Sequence, residues 1–361
     1  MRNVHLTVRV LDDGRVSLES ADGRRRVDSL VAFEDQRDVG DLYTPAPRER
    51  TYRVHFRGCR RVDRGPLRGT LELSYRIAGD RRADRIADLA IRLGLDADAP
   101  FLRLQVDGVN HTGDHRLRLL IASDVKHPQV WADAAFGPVR RERLSVPAAD
   151  ARDEQVIPTA PLHRYVSLFD DEQSFTLYSD GLAEYESRDD GAIAVTLVRA
   201  VGELSRNDLP ERPGHADWPS STPGAQCLGP FAAAFAVFPL GARSVETLAA
   251  IEHTADDVLC PPVGTTLRSA LTLPAPVRGV ELTGDGLGFS ALKESEDGQW
   301  LVLRCVNVSD HPVDGQWTLS FDIRDARLAR LDETPIAELK ADARVVPFRA
   351  RPRDVVTILV R

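Results

Sequence analysis

Two carboxylates held about 5 Å apart can cleave a glycosidic bond with retention, one acting as nucleophile and the other as acid. Glu184 and Glu186, which flank Tyr185 in a glycine-bounded segment, come nearest to that need, because positions i and i+2 of a strand share a face. With 55 acidic residues in the chain such pairs also arise by composition, and these two read as solvated carboxylates at a strand end. His111 and His115 are four apart, the spacing at which a helix places two imidazoles on one zinc ion. Gly113 and Asp114 between them favour a turn, and no Glu follows His111, so the segment is read as a turn with exposed histidines. The stretch from Ser205 to Gly229 is too long for an ordinary strand connection. Within it Arg206, Asp208 and Arg212 can hold sugar hydroxyls through charge-assisted hydrogen bonds, and Trp218 offers an apolar face for a pyranose ring. In Asp38-Val39-Gly40-Asp41-Leu42-Tyr43 the residues themselves indicate a turn at Gly40 with Tyr43 packed beside it. No nucleophile elbow, phosphate-binding loop or dinucleotide fingerprint is present.

The elements that position these residues are strands. Leu6, Val8 and Val10 alternate with polar neighbours, as do Leu89, Ile91, Leu93 and Leu95, and this period of two sends one set of side chains to a core. After the turn at residues 96–100 the pattern resumes as Leu102, Leu104 and Val106, which predicts a hairpin, and Arg116-Leu117-Arg118-Leu119 predicts a third strand continuing an antiparallel meander. Glycines (25) and prolines (23) are scattered between the apolar runs, as many short strands require. One helix is expected over 244–258, starting near Ser244, with Val245, Leu248, Ala249 and Ala255 as its stripe and Pro261-Pro262 as its stop. Sheets must bury their apolar faces on one another, so the pattern implies a layered all-β sandwich. A proline-bearing stretch at Leu273-Pro274-Ala275-Pro276 suggests a large unit over 1–273 and a small immunoglobulin-like β-sandwich over 274–361.

Composition narrows the partners. A formal charge of −8 provides no broad basic field, which argues against nucleic acid and anionic lipid, and no run of apolar residues reaches membrane-span length. The first residues lack the pattern of a secretory leader, so the cytoplasm is the expected location. Cys59, Cys227, Cys260 and Cys305 are scattered without paired spacing and are expected to be buried thiols, neither metal ligands nor a disulfide framework. Asn110-His111-Thr112 and Asn307-Val308-Ser309 match the glycosylation pattern, which matters only in a secreted chain.

Several ordered segments carry a resemblance. They are Asp38 to Tyr43 with Pro45, Val106 to Asn110 leading into Asp114-His115-Arg116-Leu117-Arg118-Leu119, and Phe136 to Glu142. Asp180 to Glu186, a strand ending in Leu197-Val198-Arg199, and Leu204 to Leu209 follow. Arg212-Pro213-Gly214-His215, Thr222 to Gly229, Phe289 to Lys293 and Leu331-Asp332-Glu333 complete the set. Together they resemble the carboxy-terminal β region of bacterial-type α-mannosidases of glycoside hydrolase family 38. The resemblance implies a galactose-mutarotase-like supersandwich followed by a small β-sandwich. It also implies a zinc-assisted, retaining α-mannosidase whose nucleophile and zinc ligands lie in an amino-terminal barrel not represented in these residues. No catalytic residue and no metal ligand is therefore assigned in this chain, and it is expected to be inactive by itself. Its partners would be that barrel, in the same or a separate chain, and an α-mannoside or other carbohydrate. The loop from Ser205 to Gly229 and Arg199 would lie against the barrel, either completing the substrate pocket or only packing there, which makes Arg199, Arg206, Asp208, Arg212, Trp218 and Tyr43 the candidate substrate-binding residues. Two other readings stand beside this one: a stand-alone carbohydrate-binding or scaffolding module, and a mutarotase-like enzyme drawing an imidazole from His55, His127 or His163.

Overall fold

A computed structural model describes residues 1–79, 84–142, 153–264, 266 and 278–361. The chain divides into two compact units, one formed by residues 1–132 and 140–241 and the other by 133–139 and 242–361. Each is built of antiparallel sheets, so the all-β expectation is met. The break expected at 273/274 lies outside the described residues.

In the first unit a six-stranded sheet sets side by side Ala160–Pro161, Glu184–Ser187, Ile193–Ala200, His115–Ile121, Val31–Asp38 and Pro47–Thr51. A nine-stranded sheet contains the long strands Arg53–Arg64, Arg68–Ala78, Arg85–Asp96, Leu102–Asn110 and Gly229–Gly241. Leu73, Ile91, Leu93, Leu104 and Val106 of the large sheet share one core with Phe33, Leu117, Leu119, Ile193 and Val195 of the smaller one. Each of these alternates with a residue on the opposite face, and burial of its apolar area supplies the driving force for stacking.

The predicted hairpin forms: Ile91 stands opposite Val106 and Leu93 opposite Leu104. The meander does not continue as expected. The strand His115–Ile121 leaves the large sheet and pairs on both sides within the six-stranded sheet, with Val31–Asp38 and Ile193–Ala200. Its apolar alternation suits either sheet, and the switch is decided by long-range pairing that local pattern does not encode. Residues 111–114 thus form a crossing between sheets.

In the second unit, Val280–Thr283, Val313–Leu319 and Val345–Ala350 form a three-stranded sheet. A five-stranded sheet contains Leu287–Glu294, Leu301–Asn307 and Val355–Val360. Trp317, Leu319 and Phe348 meet Leu303, Cys305 and Ile358 in its core. The helix Val245–Leu259 belongs to this unit. Ser244 caps it, its side chain accepting a hydrogen bond from the Thr247 amide at 3.1 Å. Leu248 and Ala255 of the expected stripe are buried, while Val245 and Ala249 are not, and Ile251 takes their place.

The cysteines correct another expectation. Only Cys305 is buried; Cys59, Cys227 and Cys260 are exposed, and all four are free. Cys59 lies on the outermost strand of its sheet, Cys227 ends a short 3-10 turn and Cys260 ends the helix, so position within the element overrides the usual burial of the thiol.

Candidate functional site

One corner of the first unit gathers all six candidate residues around two buried carboxylates. Asp38, the last residue of its strand, accepts hydrogen bonds at one oxygen from the amides of Gly40 and Ala46, both at 2.9 Å. Its other oxygen accepts from Arg199 Nε at 2.9 Å. Asp41 closes the turn, accepting from the amides of Tyr43 at 2.9 Å and Thr44 at 2.7 Å. Its second oxygen accepts from the Arg206 amide and from Arg212, both at 2.7 Å. Neither carboxylate is exposed. The turn is tight enough to dictate Gly40: a Cβ there would stand 2.2 Å from the Thr44 carbonyl oxygen and 2.8 Å from the Ala46 nitrogen. Burial pushes the Asp41 carboxyl up, but Arg212 and the Thr44 and Arg206 amides outweigh it and hold the group below the usual carboxylate range.

Arg199 and Arg212 point inward. Arg199 also donates to the carbonyl oxygens of Asp41 at 2.6 Å and Thr44 at 3.2 Å. Arg212, itself buried, donates to Thr44 Oγ1 at 2.6 Å and to the Arg206 carbonyl at 2.7 Å. Their donors hold the turn 38–46 against the loop after residue 200. The other four candidates face outward. Arg206 and Asp208 pair through two hydrogen bonds at 2.9 and 2.8 Å. The Tyr43 hydroxyl donates to Asp217 at 3.2 Å, and Trp218 is 81% exposed. Ser205 Oγ accepts from the amides of Ala216 and Asp217, at 3.0 and 3.1 Å, and so fixes the backbone that presents Trp218.

The far end of the loop is held by a buried relay that sequence reasoning missed. His115 is no exposed turn residue: its side chain is fully buried, with Nδ1 2.8 Å from Asp35 and Nε2 2.9 Å from Asn110 Oδ1. The Asn110 amide group donates in turn to the carbonyls of Gln226 and Cys227, at 3.2 and 3.1 Å. His115 begins a strand whose inner face enters the core, and that long-range burial overrides the local Gly-Asp turn signal. The turn signal does hold for exposed His111, which meets Asp88 at 3.0 Å. Burial pushes the Asp35 carboxyl up in spite of the His115 hydrogen bond. The Gln226 side chain lies so close to Gly113 that a Cβ there would stand 2.2 Å from its oxygen.

Glu184 and Glu186 lie on one strand, but neither is a solvated end group. Glu184 accepts from Thr196 Oγ1 at 2.6 Å, and Glu186 forms an ion pair with Arg118. Among the described residues no three His, Cys, Asp or Glu side chains converge as a metal-binding group. The zinc implied by the resemblance for a complete enzyme thus finds no ligand set in them. No helix among the described residues is long and apolar enough to cross a membrane.

The arrangement is a β-sandwich region whose polar loops are braced to present an aromatic and charged corner. A family model described as "Glycosyl hydrolases family 38 C-terminal domain" matches residues 1–207. A second, "Glycosyl hydrolases family 38 C-terminal beta sandwich domain", matches residues 286–358. The chain belongs to glycosyl hydrolase family 38, of which it carries the C-terminal region. It is 30% identical over 309 residues to the "Putative mannosylglycerate hydrolase" of Halalkalibacterium halodurans, a match covering 77% of this chain and 32% of that protein. The fold superposes on an alpha-mannosidase from Enterococcus faecalis V583 with a TM-score of 0.82 at 21% identity, covering 100% of this chain and 42% of that one. A second family 38 protein from Enterococcus faecalis gives 0.80 at 21% identity, covering 100% and 44%. The chain therefore spans about a third of the curated relative and less than half of these solved structures.

Proposed function

We propose that the chain is the non-catalytic β-sandwich portion of a hydrolase of α-mannosides, that it supports the catalytic barrel, and that it lends the corner at Tyr43 and Trp218 to the substrate pocket. The observation that carries this reading is the division of labour among the six residues. Arg199 and Arg212 spend their donors on the turn, while Tyr43, Arg206, Asp208 and Trp218 are held in place and left outside. An exposed aromatic face on a loop that also carries a charged pair suits a pyranose ring and its hydroxyls. In this reading Arg199 and Arg212 are positioning residues, and Trp218 stacks on sugar. The name of the Halalkalibacterium relative extends the substrate class to α-mannosides whose aglycone carries a carboxylate.

The test is hydrolysis of an aryl α-mannoside by this chain alone and by the chain expressed together with the coding region upstream of it, each with and without zinc. Turnover is expected only with the upstream region. In that active form Trp218→Ala should raise KM roughly three- to tenfold, the loss of one stacking contact. Chelator-sensitive turnover by the chain alone would overturn the non-catalytic role, and an unchanged KM in the variant would remove Trp218 from the pocket.

A further inference from the structure

The six-stranded sheet carries, beside the corner just described, an arginine whose charge no neighbour answers directly. Arg116 lies in the strand His115–Ile121, with Gln36 opposite it on one side and Arg199 on the other. Only 6% of its surface is exposed, and its Nε is enclosed without an acceptor. Among the described residues its side chain forms no hydrogen bond or ion pair, although Asp38, Glu184 and Glu186 are near enough to act on it electrostatically.

Those three carboxylates are engaged elsewhere. Asp38 accepts from Arg199 and two amides, Glu184 from Thr196, and Glu186 from Arg118. Arg118 is itself fully used, since it also pairs with Glu34. The contrast between adjacent arginines on one sheet face is the informative point: Arg118 and Arg199 have fixed partners and Arg116 has none. Enclosing the Nε–H of a guanidinium without an acceptor is costly, and the cost persists only where the fold compensates it or a ligand removes it. Burial accordingly pulls the Arg116 guanidinium below its ordinary value, and the Arg118 charge adds to the effect. The planar fork of Arg matches a carboxylate or a phosphate through two parallel hydrogen bonds.

We propose that Arg116 is the anchor of an oxyanion-binding site on this sheet face, and that it takes the carboxylate or phosphate group of an acidic glycoside whose sugar lies at the Tyr43 and Trp218 corner. This assignment rests on the substrate reading given above and refines it. The surrounding carboxylates offset much of the positive field, so the site selects by hydrogen-bond geometry, and one bidentate pair implies roughly millimolar affinity for an isolated anion.

The test uses the 361-residue chain labelled with 15N. The Nε–H resonance of Arg116, identified by its loss in Arg116→Lys, is followed while D-glycerate, inorganic phosphate or sodium chloride is added. A saturable shift with glycerate and not phosphate assigns a carboxylate, the reverse assigns a phosphate ester, and a shift with both assigns a general oxyanion site. In Arg116→Lys the same titration, read at the Arg199 Nε–H, should weaken at least tenfold, and a thermal melt confirms that the variant folds. A shift that never saturates, or that chloride reproduces, overturns the proposal, and the wild-type arm decides this even if the variant fails to fold. A parallel titration with neutral methyl α-D-mannoside, read as the fluorescence difference between wild type and Trp218→Phe, reports on the corner separately. A response at Trp218 with none at Arg116 refutes the oxyanion site alone. A response at Arg116 with none at Trp218 keeps the anion site and shows that it works without the sugar corner.

Discussion

Replacing Arg212 with Ala should loosen one corner of the first unit and leave its core intact. The side chain donates to Asp41 and Thr44 and to the Arg206 carbonyl, and it is buried together with the carboxylate it pairs. Removing one partner of a buried ion pair leaves an uncompensated charge and costs about 3–5 kcal/mol. Here three backbone amides still face Asp41, so the lower end of that range applies, about 3 kcal/mol. The lost contacts join two surface segments, and none of them lies in the stacked apolar core. The effect is therefore local, and about 3 kcal/mol corresponds to a roughly hundredfold larger open population and correspondingly faster exchange. Hydrogen exchange reads this directly at the Leu204, Arg206, Ala216 and Asp217 amides, which depend on the brace. Amides of the hairpin between Leu93 and Leu104 serve as the internal reference. The reasoning fails if exchange over 204–217 is unchanged in the variant. It fails equally if reference and corner amides accelerate together, since Arg212 would then support the whole unit.

Two further outcomes follow from the same geometry. The Asp41 carboxyl is depressed in the folded state, so its contribution is complete above the unfolded value of about 3.9 and is lost as pH falls through the folded value; protection of the corner amides should collapse on acidification below about pH 4. Unchanged protection there would show that Asp41 is not what fastens the corner. Gly40→Ala would drive a methyl group into the Thr44 carbonyl and the Ala46 nitrogen, both backbone, and should cost about 1–3 kcal/mol, seen as lowered thermal stability together with loss of the Asp38 and Asp41 turn.

Much of the architecture was legible because strand alternation records which face is buried. Leu89 to Leu95 and Leu102 to Val106 announced both their faces and their pairing, since their connection is short. Arg116 to Leu119 announced its faces but not its sheet, because its partners lie about 80 residues away on either side. The candidate site shows the same limit. The residue types in the 205–229 loop pointed to a polar surface, yet nothing in the sequence says that Arg212 faces Asp41 or that Arg199 faces Asp38. Asp-Val-Gly-Asp carried a usable clue, for an Asp placed two or three residues before a needed amide caps a turn with its own side chain. His115 and Arg116 carried none, because their burial is imposed by strands remote in sequence.

The brace between Asp41 and Arg212 also has a history in the making of the protein. The two residues are 171 positions apart, and at about 5–20 residues per second the ribosome delivers the arginine roughly 9–34 s after the carboxylate. For most of that interval the turn at 38–46 has its own amides but no guanidinium, since Arg199 follows Asp41 by 158 residues. Docking of the strand Ile193–Ala200 beside His115–Ile121 and Val31–Asp38 brings Arg199 to the turn, and Arg212 joins it afterwards. The corner thus closes only once residue 212 has been made, while the strand Gly229–Gly241 of the large sheet is still to come, and a nascent chain halted before residue 199 carries the turn without either arginine that braces it.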